Sequence, residues 1–342
     1  MKSSCYRLNG QFGFKNLTRF EEPISDLPPP GYVLVKTKSV ALNYRDLLIL
    51  EGQYDPRIPL NCVPCSDMSG EIVSVGQDIQ ELNVGDQVVS TFYQWPESSG
   101  LEEKIRFYRT LGGPLDGVLS EYRMYPHWGV AKYPSYLTHD EAATIPCSGV
   151  SAWHAIFDPD NPVLPGDTVV IIGSGGVATY ALKLALLAGA QVIMITRSQD
   201  KAKQLQTLGA HHVIVSTDHP HWSKAVKDIN PFGADRIIEL GGSGTLTESI
   251  KATRVKGAIY LLGVVAEPTD ITDKTIKRLL MYGITLKGIL VGSRSLQLKL
   301  MRCMDKNQLK PLIGKTFAWD DVISAFEYLR SAKHLGKIII KL

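Results

Sequence analysis

The chain has 342 residues, 44% of them hydrophobic, with 37 basic and 34 acidic side chains and a formal net charge of +3. That is enough apolar material for two cores, and the mild charge argues against a nucleic-acid partner. Apolar runs are broken by glycine or charge before they reach membrane-spanning length. Met1 to Gly10 lacks the apolar centre of a secretion signal, and five cysteines do not describe a disulfide framework, so a cytoplasmic protein without a membrane partner is expected.

In chain order, the first third reads as short strands and turns. Tyr32 to Thr37, Gly70 to Val75 and Gln87 to Ser90 have strand patterns, and Leu119 to Met124 resumes one. Residues 92–117 interrupt them with a long polar and aromatic excursion, of the kind that covers functional sites. Its Phe92, Tyr93, Trp95, Phe107 and Tyr108 suit either a flat or apolar small molecule or a self-packed cover. Thr138 and Glu141 form a capping box that opens a helix. From Asp167 to Gly263 strands and helices alternate, predicting strands at 168–173, 191–196, 212–216, 235–240 and 257–263, with a sixth at 285–290. A helix over Trp319 to Ser331 and a final strand over Gly336 to Leu342 fit better with the N-terminal strands. The expected class is α/β, a doubly wound parallel sheet set between the two pieces of a β-rich domain.

The sharpest local signal is residues 168–201. The apolar run Val169 to Ile172 breaks into Gly173-Ser174-Gly175-Gly176, a helical pattern runs from Val177 to Ala188, and a second apolar run begins at Val192. Strand, glycine turn, helix and strand make half of a dinucleotide-binding unit, with a pyrophosphate expected on the free N–H groups at the helix start. About 20 residues past the turn, where a carboxylate would accept the ribose hydroxyls of NAD, stands Thr196. Arg197, Ser198 and Lys201 follow it. A guanidinium, two hydroxyls and an ammonium suit a 2′-phosphate, so NADPH is expected ahead of NADH.

ALNYRD (41–46), GQY (52–54), CSDMSGEIVSVG (65–76), VGDQVV (84–89), GPLDGVLSEY (113–122), GVSAW (149–153), GSGGVA (173–178), LKGILVGSR (286–294) and HLGKIII (334–340) occur in this order. Together they resemble the medium-chain dehydrogenase/reductase superfamily over essentially the whole chain. The likeness is greatest to its zinc-independent branch of quinone oxidoreductase-like and NAD(P)-dependent alcohol dehydrogenase-like proteins. The resemblance implies a GroES-like catalytic domain (1–128 and 292–342), a Rossmann domain (129–291) and an active-site cleft between them. It also implies a homodimer, in which the strand at 285–290 continues the sheet into its mate.

By the same resemblance, the three ligand positions of a catalytic zinc fall on Asn43, Ser66 and Cys147, and a single thiolate makes no tetrahedral Zn²⁺ site. No zinc is therefore expected. Cys62 and Cys65 have CxxC spacing, readable as a redox pair, as an improvised metal site with Cys147, or as two small buried thiols. In enoyl-reductase relatives a GxY tyrosine donates the proton, which points to Tyr54, with Tyr44 second and Asn43 as a hydrogen-bonding group for the nicotinamide ribose or substrate oxygen. Ser151 resembles the residue beside the nicotinamide. Gly241, Gly263, Val264, Val265, Ile289, Leu290 and Val291 correspond to loops that grip the cofactor. Lys337 matches a position that reaches the cofactor in some enoyl reductases, although the residues alone read as a strand-surface charge. These readings point to reduction of a quinone or an activated C=C by NADPH. The alternatives are alcohol/aldehyde dehydrogenase chemistry and a weakly catalytic NADPH-binding redox sensor.

Overall fold

A computed structural model describes residues 1–95 and 107–342. Of the 92–117 excursion, residues 96–106 therefore lie outside the described residues. The chain forms two compact units, Met1–Val150 with Gly292–Leu342, and Ser151–Val291.

In the first unit, β1 (Lys2–Leu8) and β2 (Leu17–Pro23) form an antiparallel pair. The main sheet contains β3 (Tyr32–Leu42), β4 (Asp67–Val75), β5 (Gln87–Ser90), β6 (Tyr122–Pro126), β7 (Val130–Lys132), β14 (Ile313–Ala318) and β15 (Lys337–Lys341). Its order is β14-β15-β3-β4-β5-β7, with β6 also on β3. The C-terminal strand thus returns to the N-terminal sheet, Ile338 opposite Leu42 and Ile340 opposite Val40. Three consecutive isoleucines, 338 to 340, are buried there, as a strand covered on both faces requires. β3 runs five residues beyond its expected end because β4 and β15 flank its second half. The strand expected at 119–124 starts at Tyr122 instead. Residues 117–119 spend their N–H groups on the carbonyls of Val63, Cys65 and Pro64.

The unit boundary falls after Val150, whereas the sequence placed it after residue 128. β7 pairs with β5, and α2 (His139–Ala142), capped by Thr138 and Glu141 as expected, lies on β3 and β4. A π-helical turn, Ile145–Gly149, then leads into α3 (Val150–Ile156).

The second unit is a six-stranded, wholly parallel sheet of β8 (Thr168–Ile172), β9 (Gln191–Thr196), β10 (His212–Val215), β11 (Ala234–Glu239), β12 (Thr253–Leu261) and β13 (Thr285–Gly288). Its order, β10-β9-β8-β11-β12-β13, reverses direction between β8 and β11, the switch point where such sheets bind dinucleotides. Each strand lies within a few residues of its expected span. Helices α4 (Gly176–Leu187), α5 (Gln199–Thr207), α6 (Trp222–Ile229), α7 (Ser243–Ala252) and α8 (Asp273–Tyr282) connect them. No helix is long and apolar enough to cross a membrane among the described residues.

Candidate functional site

Two constellations carry chemistry, one in each unit. In the second unit, the predicted loops meet at the carboxyl ends of the parallel strands. Gly173 follows β8 with φ +96°, a backbone conformation that glycine adopts without strain, and its N–H binds the Ile195 carbonyl at 2.7 Å. Ser174 and Gly175 lead into α4, whose first residues are Gly176 and Val177, so the first N–H groups of a twelve-residue helix have no partner within the helix. Ala178 is fully buried, consistent with close helix–strand packing.

At the end of β9, Thr196 is buried and its hydroxyl accepts from Ser198 N at 3.3 Å. Ser198 caps α5 through Lys201 N. Arg197 is exposed, and partial burial, then the charge of Arg197, pull the Lys201 ammonium below its usual range. Arg197 and Lys201 are thus neighbouring cations that disfavour each other.

Beyond β11 the structure supplies a residue the sequence reading missed. Glu239 is fully buried, and its Oε1 accepts from Gly241 N at 2.7 Å, Gly242 N at 3.1 Å and Thr245 Oγ1 at 2.6 Å, with Ser249 Oγ on Oε2. Burial pushes this carboxyl up, and these donors oppose it. Gly241 therefore has its N–H occupied, and its carbonyl accepts from Ala266 N at 3.0 Å, leaving it close approach rather than a hydrogen bond to offer. Gly263 lies against the Leu240 backbone, while Val264, Val265 and Leu290 are exposed. Ile289 N binds the Leu261 carbonyl at 2.9 Å. His154 Nδ1 lies 2.8 Å from the Val291 carbonyl, so α3, which also carries the buried Ser151, fastens that loop.

In the first unit, Asn43 stands between the end of β3 and α1 (Tyr44–Leu50). Its backbone N–H donates to Asp46 Oδ2 at 2.8 Å, and its side-chain Oδ1 accepts from Lys337 Nζ at 2.6 Å and Ser148 Oγ at 3.3 Å. The Asn43 amide opposes the rise of the Asp67 carboxyl. Lys337 is 3% exposed and gives a second 2.6 Å bond to the Leu42 carbonyl. The reading of Lys337 as a strand-surface charge is corrected by this. β15 is an interior strand, so its first side chain enters the core beside Asn43.

Asp67 is fully buried, taking Ser66 Oγ at 2.6 Å and Cys147 N at 3.0 Å. Burial raises it, and Lys337 acts first in opposition. Burial likewise pushes Asp46 up to about 6, against the pull of Arg45. Arg45, also missed in the sequence, is a buried guanidinium beside Tyr54, while Tyr54 and Tyr44 are half-buried. Cys62 and Cys65 are buried free thiols. Burial pushes Cys62 up to about 11 and Cys65 well above its usual range, which leaves both poorly nucleophilic.

These residues do not fit a zinc site of the family type. Of the three ligand positions, Asn43 offers an amide oxygen already held by an ammonium, and the Ser66 hydroxyl is spent on Asp67. Only Cys147 offers sulfur, and burial and Asp67 raise its thiol. Among the described residues no group of three His, Cys, Asp or Glu side chains is placed to hold a metal ion.

Comparison with known proteins agrees with both halves. Residues 29–135 match the family model of the alcohol dehydrogenase GroES-like domain, and residues 176–306 that of a zinc-binding dehydrogenase. A zinc-type alcohol dehydrogenase-like protein of Schizosaccharomyces pombe is 36% identical over 334 residues, 96% of each chain. The chain belongs to the medium-chain dehydrogenase/reductase superfamily. A putative alcohol dehydrogenase from Sinorhizobium meliloti superposes with a TM-score of 0.89 at 31% identity, covering 100% of this chain and 99% of that one. An acryloyl-coenzyme A reductase of Sulfurisphaera tokodaii is 26% identical, covering 96% of this chain and 98% of the relative. As a medium-chain dehydrogenase/reductase with a GroES-like and a Rossmann-type unit, the protein is an NAD(P)H-dependent oxidoreductase.

Proposed function

We propose that the protein is a zinc-independent, NADPH-dependent reductase of an activated C=C bond, as in an enone or enoyl thioester, or of a quinone. The observation that carries this reading is the donor set at the metal positions: a carboxamide tied to an ammonium, a hydroxyl tied to a carboxylate and one thiol. Without a Lewis acid a simple carbonyl loses its polarising charge, whereas a conjugated acceptor is already electron-poor at the carbon that receives hydride. The likeness to an acryloyl-coenzyme A reductase supports that acceptor class.

The cofactor, when bound, supplies the hydride. Gly173, Ser174, Gly175, Gly176 and Val177 hold its diphosphate, and Thr196, Arg197, Ser198 and Lys201 its 2′-phosphate. Gly241, Gly263, Val264, Val265, Ile289, Leu290, Val291 and Ser151 of the second unit would hold its nicotinamide half, and Asn43 and Lys337 are the first unit's candidates for contact with it. Tyr54 Oη gives the proton, and Tyr44 forms the wall beside it. The protein works in the cytoplasm.

A second reading, an alcohol or aldehyde dehydrogenase, is favoured by the names of the S. pombe and S. meliloti relatives. A cofactor-oxidation screen over quinones, enones, enoyl thioesters and aldehydes, with elemental analysis of the same preparation, separates the two. Turnover of conjugated acceptors by metal-free protein is expected. Exclusive alcohol–aldehyde turnover with stoichiometric zinc overturns the proposal. The sensor reading has no support in Cys62 and Cys65, whose buried thiols are poor nucleophiles.

A homodimer through β13 is part of the proposal. β13 is the last strand of its sheet, with Leu286 exposed, and α8 leaves Ile276, Leu280 and Met281 exposed, the last two at 80%. A strand edge and an apolar helix face of this kind call for cover. Sedimentation is expected to give a dimer for the wild type and a monomer for Leu286→Lys.

A further inference from the structure

Arg45 has a surrounding that packing alone does not call for. Only 8% exposed, its Nη1 donates to the Leu111 carbonyl at 3.0 Å and lies 3.6 Å from Asp46 Oδ1. The guanidinium carbon is 4.9 Å from the Phe92 ring centroid and 5.0 Å from that of Tyr54. A Cβ on Gly113 would stand 3.0 Å from Nη2, so the loop after Leu111 closes over it. Burial works against this cation. The Tyr54 side chain beside it and the Asp46 carboxylate outweigh that cost. Apolar side chains of similar volume commonly stabilise such a site as well as a buried ion does, so an arginine here asks for a task beyond folding.

We propose that Arg45 is the positioning charge of Tyr54: it orients the phenol and stabilises the oxygen anion left when Tyr54 gives up its proton. This rests on the reading in which Tyr54 supplies that proton. The proton leaves Tyr54 Oη for the carbon beside the acceptor's carbonyl, or for a quinone oxygen, and the O–H electron pair stays on the phenolate. The electrons of the reduction arrive with the hydride, water later returns the proton to Tyr54, and Arg45 keeps all of its own. In this scheme Arg45 acts through Tyr54, its Nη1 held by the Leu111 carbonyl and the Asp46 carboxylate. The preformed cation therefore acts at the developing charge without reorganising.

The test is a double-mutant cycle on NADPH-dependent turnover of a conjugated acceptor, joined to a measurement on the ligand-free protein. Arg45→Met is expected to lower kcat about 10- to 100-fold, within the range of acid–base effects, with KM for NADPH unchanged. Arg45→Lys is expected to recover part of the loss. In a Tyr54→Phe background the same Arg45→Met change should cost less than about twofold, since coupled residues are not additive. In protein carrying ¹³Cζ-tyrosine, the resonance missing from Tyr54→Phe should be displaced in Arg45→Met and move back in Arg45→Lys. If Arg45→Met does not fold, Arg45→Gln, which keeps a donor for Leu111 and drops the charge, serves in its place. Additive losses, or an undisplaced resonance, overturn the inference while leaving the acid role of Tyr54 standing. Full turnover in Tyr54→Phe overturns both.

Discussion

Replacing Lys337 by methionine keeps most of the side-chain volume and removes one buried charge. The ammonium makes two 2.6 Å bonds, to the Leu42 carbonyl and Asn43 Oδ1, and it is the first group opposing the rise of Asp67. Removing one member of a buried charge cluster leaves the others uncompensated, at a cost of about 3–5 kcal/mol. A surface lysine changes stability by about 0.5 kcal/mol or less, so the two placements of Lys337 differ several-fold in consequence. For a unit of this size the larger figure lowers the melting midpoint on the order of 10 °C.

The pH dependence has a definite sign. Asp67 is raised in the folded state, and loss of Lys337 raises it further. Its contribution is then fully present below the unfolded carboxylate range and is lost as pH rises through the folded value. The deficit of Lys337→Met should thus be largest near pH 8 and shrink towards pH 5. Calorimetric melts of wild type and Lys337→Met at both pH values measure this. A midpoint within 2 °C of wild type at pH 8 (about 1 kcal/mol or less), or a deficit that grows on acidification, would refute the buried-cation argument.

Arg197→Ala is expected to raise KM for NADPH about five- to tenfold and to leave KM for NADH little changed, in line with an exposed charged hydrogen bond; equal effects on both cofactors in steady-state kinetics would count against the 2′-phosphate role. Glu239→Gln sets an amide against the donors of Gly241, Thr245 and Ser249. It should cost about 1–3 kcal/mol and weaken cofactor binding measured by fluorescence titration, a result that wild-type affinity would contradict. Cys62→Ser/Cys65→Ser should retain wild-type turnover under both oxidising and reducing conditions, because both thiols are buried and raised; a redox-dependent activity confined to the wild type would restore the sensor reading.

The nucleotide unit was legible in the sequence because its determinants are local. Val169 to Ile172, the glycines at 173, 175 and 176 and the helix behind them signal through spacing alone, and the alternation that follows fixes a parallel sheet, whose strand order the structure completes. The catalytic unit was less legible. Its sheet joins residues about 300 positions apart, Ile338 to Leu42, and no window of sequence contains that pairing. The strand expected at 119–124 was misplaced for the same reason, since Leu119 N donates to the Pro64 carbonyl and Glu121 N to that of Ser4.

By itself, the sequence determined two domains, the strand–glycine turn–helix that suits a dinucleotide, the absence of soft ligands at 43 and 66, and the membership that these motifs spell together. Only the tertiary structure decided where charge is buried. A lysine at a strand start and an arginine beside an aspartate look like surface groups in one dimension. They become interior cations when β15 inserts next to β3 and the loop after Leu111 closes over α1. Burial is a property of non-local packing, and the strength of a charge depends on how much water that packing leaves around it.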